Sequence, residues 1–134
     1  YFTILTEKRQ INKESEVIKI FYKDRKQRHF RGKKTRVNGK RIIHPHYIVG
    51  EDKDNFASLG ITHDESKGKK HKNYLLSKNP EYGQSSKSYM RKEIENSSKR
   101  NYTLYKFTNY KMSSKDDDYV DKLVEKKKKY KSKK

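Results

Sequence analysis

From Ile42 to Gly50 the chain is apolar and β-branched, breaks at Glu51-Asp52-Lys53-Asp54-Asn55, and turns apolar again from Phe56 to His63. Two such runs around a polar turn predict a β-hairpin. Only 29% of the residues are hydrophobic and 40% are charged, so this hairpin has to seed most of the core. Eleven Tyr and five Phe supply much of the remaining apolar area, because each ring buries a large surface. A chain of 134 residues at this composition carries one small core, not two.

The rest of the chain offers weaker signals. Asn12 caps a predicted helix to about Lys26, with Val17, Ile18, Phe21 and Tyr22 as its apolar stripe. Gly32 and Gly39 bracket a basic connector, and Asn38-Gly39 is a hairpin-type turn pair. Tyr74-Leu75-Leu76 predicts a third strand, Ser88 to Ile94 a fourth and Tyr102 to Phe107 a fifth. Ser113 and Ser114 with Asp116 and Asp117 open a last helix, whose inner face is Tyr119, Val120, Leu123 and Val124. The expected class is α+β: a small antiparallel sheet or SH3-like barrel, a C-terminal helix and a basic N-terminal helical extension. The expected divisions are an extension over 1–41, a core over 42–125 and a basic tail over 126–134.

Charge points to the partner. The formal net charge is +19, distributed as +10 over residues 1–43, −4 over 44–65 and +13 over 66–134. Charge on this scale costs stability by self-repulsion and makes sense against a polyanion, whose neutralised phosphates release counterions. A lysine-rich AT-biased genome explains some of the excess, but not its segregation to the two flanks. The expected partner is a nucleic acid, RNA ahead of DNA, because aromatics interleave with the cations in both flanks, as in grooves that hold single strands. The competing reading places most of those rings in the core. Candidate phosphate contacts are Lys33, Lys34, Arg36, Lys40, Arg41, Lys67, Lys69, Lys70, Lys72, Arg91 and Lys92.

No cysteine is present, which suits a cytoplasmic setting. No apolar run approaches the roughly 18–20 residues of a membrane span, and no signal peptide is visible. The chain begins at Tyr1 rather than Met, which leaves room for preceding residues.

Three of the five histidines, His44, His46 and His63, flank the hairpin. A His-x-His pair lacks the wider ligand framework of a metal site, so neither metal nor other cofactor is implied. Metal-free cleavage of RNA needs a base for the 2′-OH, a donor or cation for the phosphorane and an acid for the leaving oxygen, and imidazole serves near neutral pH. The plainer alternative makes these histidines half-exposed residues beside a polyanion site.

The order of signals from Ile42 onward resembles the PemK/MazF group of toxin endoribonucleases, small proteins with an SH3-like barrel. In that group a strand opens with Arg-Pro and runs apolar into a short turn, and its return strand ends in Thr or Ser. The parallels here are His44-Pro45-His46-Tyr47-Ile48-Val49 and Phe56-Ala57-Ser58-Leu59-Gly60-Ile61-Thr62. A lysine-rich loop into a short strand (Lys67 to Leu76), a serine-led strand (Ser88 to Ile94) and a closing helix with an acidic first turn follow, over residues 42–125 in all. The resemblance implies a metal-independent endoribonuclease of a toxin–antitoxin or mobile-element system, commonly a homodimer neutralised by an acidic antitoxin. Thr62 keeps the group's hydroxyl, and His44 stands where its catalytic Arg does, with His46 and His63 as alternates. Two features depart from the group: the Arg-to-His exchange and the basic extension in place of a recognisable opening strand. The alternative function is a non-catalytic packaging, structural or ribosome-associated nucleic-acid binder.

Overall fold

A computed structural model describes residues 20–66 and 71–132. Among the described residues seven strands precede one long helix: β1 (Phe21–Tyr22), β2 (His29–Val37), β3 (Lys40–Glu51), β4 (Asn55–Thr62), β5 (Tyr74–Leu75), β6 (Tyr89–Met90), β7 (Glu95–Ser98) and α1 (Ser114–Ser132), with a 3-10 turn at Lys99–Asn101. The strands form one antiparallel sheet that curls into a half-barrel. The α+β class with a small barrel-like sheet is therefore what the chain adopts.

The hairpin is the centre of the sheet. β3 pairs with β4 on one edge, and with β2 and then β1 along the other. The free edge of β4 takes β7 at one end and β6 at the other, and β5 pairs with β6. A bridge from Tyr102 to Lys33 brings the chain after β7 back alongside β2. There Thr103 N–H donates to the Gly32 carbonyl at 2.8 Å. A Cβ at Gly32 would run into the Ile43 side chain and the Phe107 ring, so glycine permits this close approach.

Alternation along β3 and β4 sorts side chains to two faces. Tyr47, Val49, Ala57, Leu59 and Ile61 join Phe30, Met90, Val120 and Val124 in the main core. Ile48 and Phe56 lie with Tyr102 on the opposite face. A bulge between Ile48 and Gly50 shifts the register where β1 takes over from β2.

The acidic first turn of α1 is a docking device. The Ser113 hydroxyl accepts from Asp116 N–H and donates back to its carboxylate at 2.7 Å. The fully buried Asp116 carboxylate also accepts from Ser77 N–H, the Ser77 hydroxyl and the Tyr74 hydroxyl. Asp117 accepts from Tyr47 O–H at 2.7 Å and pairs with Arg28, which also reaches Asp121. Arg25 pairs with Asp118 and Asp121.

Several elements differ from expectation. The predicted helix over 12–26 lies outside the described residues up to 19, and its end is extended: Phe21 and Tyr22 form β1 against Glu51 and Gly50. Arg25 and Arg28 serve the carboxylates of α1 instead of capping a helix of their own. The basic connector is strand, because nine consecutive residues of β2 find partners on β3. The sheet thus begins before Ile42. The fourth strand is reduced to Tyr89–Met90 plus a separate β7, and from the fifth only Tyr102 bridges. Helix α1 continues past residue 126, into the segment read as tail.

Candidate nucleic-acid interface

The β3–β4 ladder begins at His46, whereas β2 and β3 stay paired out to Val37 and Lys40. Residues 34–43 therefore form a two-stranded ribbon, closed by Asn38 (φ 52) and Gly39 (φ 79). Both left-handed angles are those the Asn-Gly pair favours. With no third strand to cover it, the ribbon exposes Lys34, Arg36, Lys40 and Arg41, and half of Val37 and Ile43. None of these four cations makes a hydrogen bond or ion pair with the described residues.

Other cations are occupied. Lys33 Nζ lies 2.8 Å from Glu95 Oε1. Lys23 and Lys99 share Glu51, whose carboxyl their hydrogen bonds hold down at about 2. Arg31 donates to His29 Nε2 and to the carbonyls of Thr103 and Leu104, with its guanidinium 5.1 Å above the Phe56 ring. Arg91 is half-buried over Gly60 beside the His46 ring, and Lys92 and Lys72 are exposed. Lys67, Lys69 and Lys70 lie outside the described residues. Arg100 was not singled out in the sequence, yet it lies with Asn101 beside Lys34, Thr35, Arg36 and Arg41 around one cleft.

His44, Thr62 and His63 line a common cleft of about 330 Å³ with Pro45, Asp64 and Glu81. The ladder places His46 against Gly60, so His44 and Thr62 are the next pair outward on the same face. Thr62 Oγ1 accepts from Asp64 N–H at 3.1 Å and keeps its own proton to donate. Both imidazoles are exposed, and neither has a hydrogen-bond partner among the described residues. The cleft thus offers imidazole and hydroxyl together, without a side chain that orients either ring.

The oriented imidazole is His46. It is buried, with Nδ1 2.9 Å from Ser58 Oγ, which in turn lies 2.8 Å from the Tyr102 hydroxyl. Glu95 Oε1 stands 3.5 Å from the same nitrogen. Burial drives the His46 pKa down to about 4; Glu95 opposes this, and Lys33, His44 and Arg91 reinforce it. Burial likewise pushes Tyr102 up to about 12. Half-burial works to raise the Glu95 carboxyl, but the hydrogen bond from Lys33 and the charges of Lys33 and Arg91 outweigh it and hold it below its ordinary value. At neutral pH His46 is thus uncharged: it shares a hydrogen bond with Ser58 but cannot serve as a standing cation for a phosphorane. From the sequence, Ser58 and Tyr102 have a place in strands but no role in a site. From Ala57 on, Ser58, Gly60 and Thr62 alternate with the apolar Ala57, Leu59 and Ile61, and that alternation is the available signal.

Among the described residues no group of three or more His, Cys, Asp or Glu could hold a metal ion, and no helix is long and apolar enough to cross a membrane. Comparison with family models, curated proteins and solved structures finds no match to this chain.

Proposed function

We propose that the protein binds RNA through the β2–β3 ribbon and the cations around its root. The carrying observation is the contrast between occupied and unoccupied cations. Arg25, Arg28, Lys23, Lys33 and Lys99 neutralise carboxylates of the fold, whereas Lys34, Arg36, Lys40 and Arg41 project from a ribbon with no acidic residue in it. Unpaired cations on a strand pair meet phosphates without first breaking an ion pair, and counterion release supplies the affinity. Single-stranded RNA is favoured over DNA duplex by the exposed ring of Tyr105, which packs on Phe107 above Gly32 of β2 and offers a stacking surface for an unpaired base.

A second reading adds metal-independent cleavage, as the resemblance to PemK/MazF endoribonucleases implies. It is favoured by the shared cleft of His44 and Thr62. In that reading His44 exchanges the proton, Thr62 donates to the phosphate, and the host system is a toxin–antitoxin or mobile-element pair with an acidic partner and a homodimeric toxin. Incubation with a mixed RNA pool in EDTA separates the readings. Defined fragments support cleavage, and intact, shifted RNA supports a packaging or ribosome-associated binder. RNA that neither shifts nor fragments at low salt overturns both.

A further inference from the structure

The antiparallel bridge between Lys33 and Tyr102 has a side effect on its flanks. Moving outward from it, Asn101 and Arg100 come alongside Lys34 and Thr35, on the edge of β2 that faces away from β3. Across β2, the β3 pairing sets Arg41 opposite Arg36. The result is a cleft of about 320 Å³ lined by Lys34, Thr35, Arg36, Arg41, Arg100 and Asn101. Four of its six lining residues are cations, none is acidic, and no carboxylate pairs with any of the four among the described residues. Elsewhere Lys23 and Lys99, drawn together, share Glu51. Four like charges around one hollow repel one another until an anion enters.

We infer that this cleft is a discrete site for a phosphomonoester, the terminal phosphate of an RNA strand. Its charge selects that class: a terminal phosphate carries close to two negative charges, an internal diester only one, and four cations converge on this cleft. Three guanidiniums supply planar forks that match phosphate oxygens two at a time. Asn101 donates one amide N–H to Ser97 Oγ at 3.0 Å and keeps a second. The Thr35 hydroxyl is directed to the Ile42 carbonyl at 3.5 Å, which leaves its lone pairs free for donors and the anion to the cations. The volume of about 320 Å³ admits a phosphate or pyrophosphate group, and the charge of the lining is what selects it. The choice of an RNA end rests on the RNA-binding reading, but the anion site does not.

The experiment has two arms. Inorganic pyrophosphate is titrated into the full chain, and backbone amide shifts are followed by NMR. Shifts centred on residues 34–36, 41 and 100–101 that vanish in Arg100→Gln and Arg41→Gln support the site. Anisotropy then compares one oligoribonucleotide with and without a terminal phosphate. The phosphorylated strand is expected to bind roughly tenfold tighter, and Arg100→Gln to erase that difference, weakening the phosphorylated strand far more than the unphosphorylated one. Pyrophosphate binding that Arg100→Gln removes, together with no RNA binding of either kind, upholds the anion site and overturns the RNA reading. Absence of localised pyrophosphate shifts overturns the site, and an end preference that survives Arg100→Gln overturns its assignment to this cleft.

Discussion

Replacing Lys34, Arg36, Lys40 and Arg41 together by Gln tests the interface most directly. All four are exposed and have no partner in the described fold, so the change is expected to cost little stability, about 0.5 kcal/mol or less per site. Each unpaired cation that contacts a phosphate of a single strand contributes about 0.7 to the slope of log K against log[salt]. Four contacts contribute close to 3, and between 50 and 200 mM salt that amounts to roughly fiftyfold in affinity. Fluorescence anisotropy with a labelled single-stranded RNA, repeated across that salt range, reads the slope. The necessary control carries the same change in net charge elsewhere: Lys53, Lys115, Lys122 and Lys126, all exposed and away from the ribbon. If phosphates sit on the ribbon, the first variant flattens the slope by about 3 and the control by less than about 1. Equal flattening by both variants would mean that the protein attracts RNA only through its overall charge, and the reasoning from occupied and unoccupied cations would fail.

Three further outcomes are expected. If the protein cleaves RNA, His44→Ala lowers the rate by about 10²–10⁴ with RNA affinity nearly unchanged; a variant that cleaves like the parent removes the His44–Thr62 cleft from the mechanism. Burial lowers the folded-state pKa of His46 to about 4 from 6.5, so the unfolded chain takes up a proton first. Its contribution is fully present above pH 6.5 and is lost as pH falls toward 4, with about 2 kcal/mol gone between pH 7.5 and 5. Urea unfolding at the two values measures this, and the loss shrinks in His46→Gln; equal losses in both proteins overturn the assignment. Asp116→Ala removes the buried acceptor of the part-buried donors of Ser77 and Tyr74 and is expected to cost about 2 kcal/mol by urea unfolding, whereas Asp118→Ala, at an exposed pair with Arg25, leaves stability near the parent's.

Local sequence determined the elements whose signals are local. The Ile42–Gly50 and Phe56–His63 runs, the Asp52 turn, the Asn38-Gly39 reversal and the Ser113 cap each depend on residues a few positions apart, and each is where the residues place it. Segregation of positive charge to the flanks is likewise a property of the chain alone. Tertiary structure decided what depends on partners far along the chain. Phe21 and Tyr22 fit a helical stripe as well as a strand, and only the bulged end of β3 made them strand. The acidic first turn of α1 suits the helix dipole in any context, but burial against Tyr47, Ser77 and Arg28 turned it into a docking device. Five histidines look alike in a string of letters; the pleat buried His46 on Ser58 and left His44 at the rim. Arg100 is one basic residue among 36 Lys and Arg, and nothing nearby in the sequence distinguishes it. Its place beside Arg36 and Arg41 follows from a single bridge across 69 positions, between Lys33 and Tyr102. Long-range contacts of that kind are selected by the packing free energy of the whole sheet, which no short window of sequence contains.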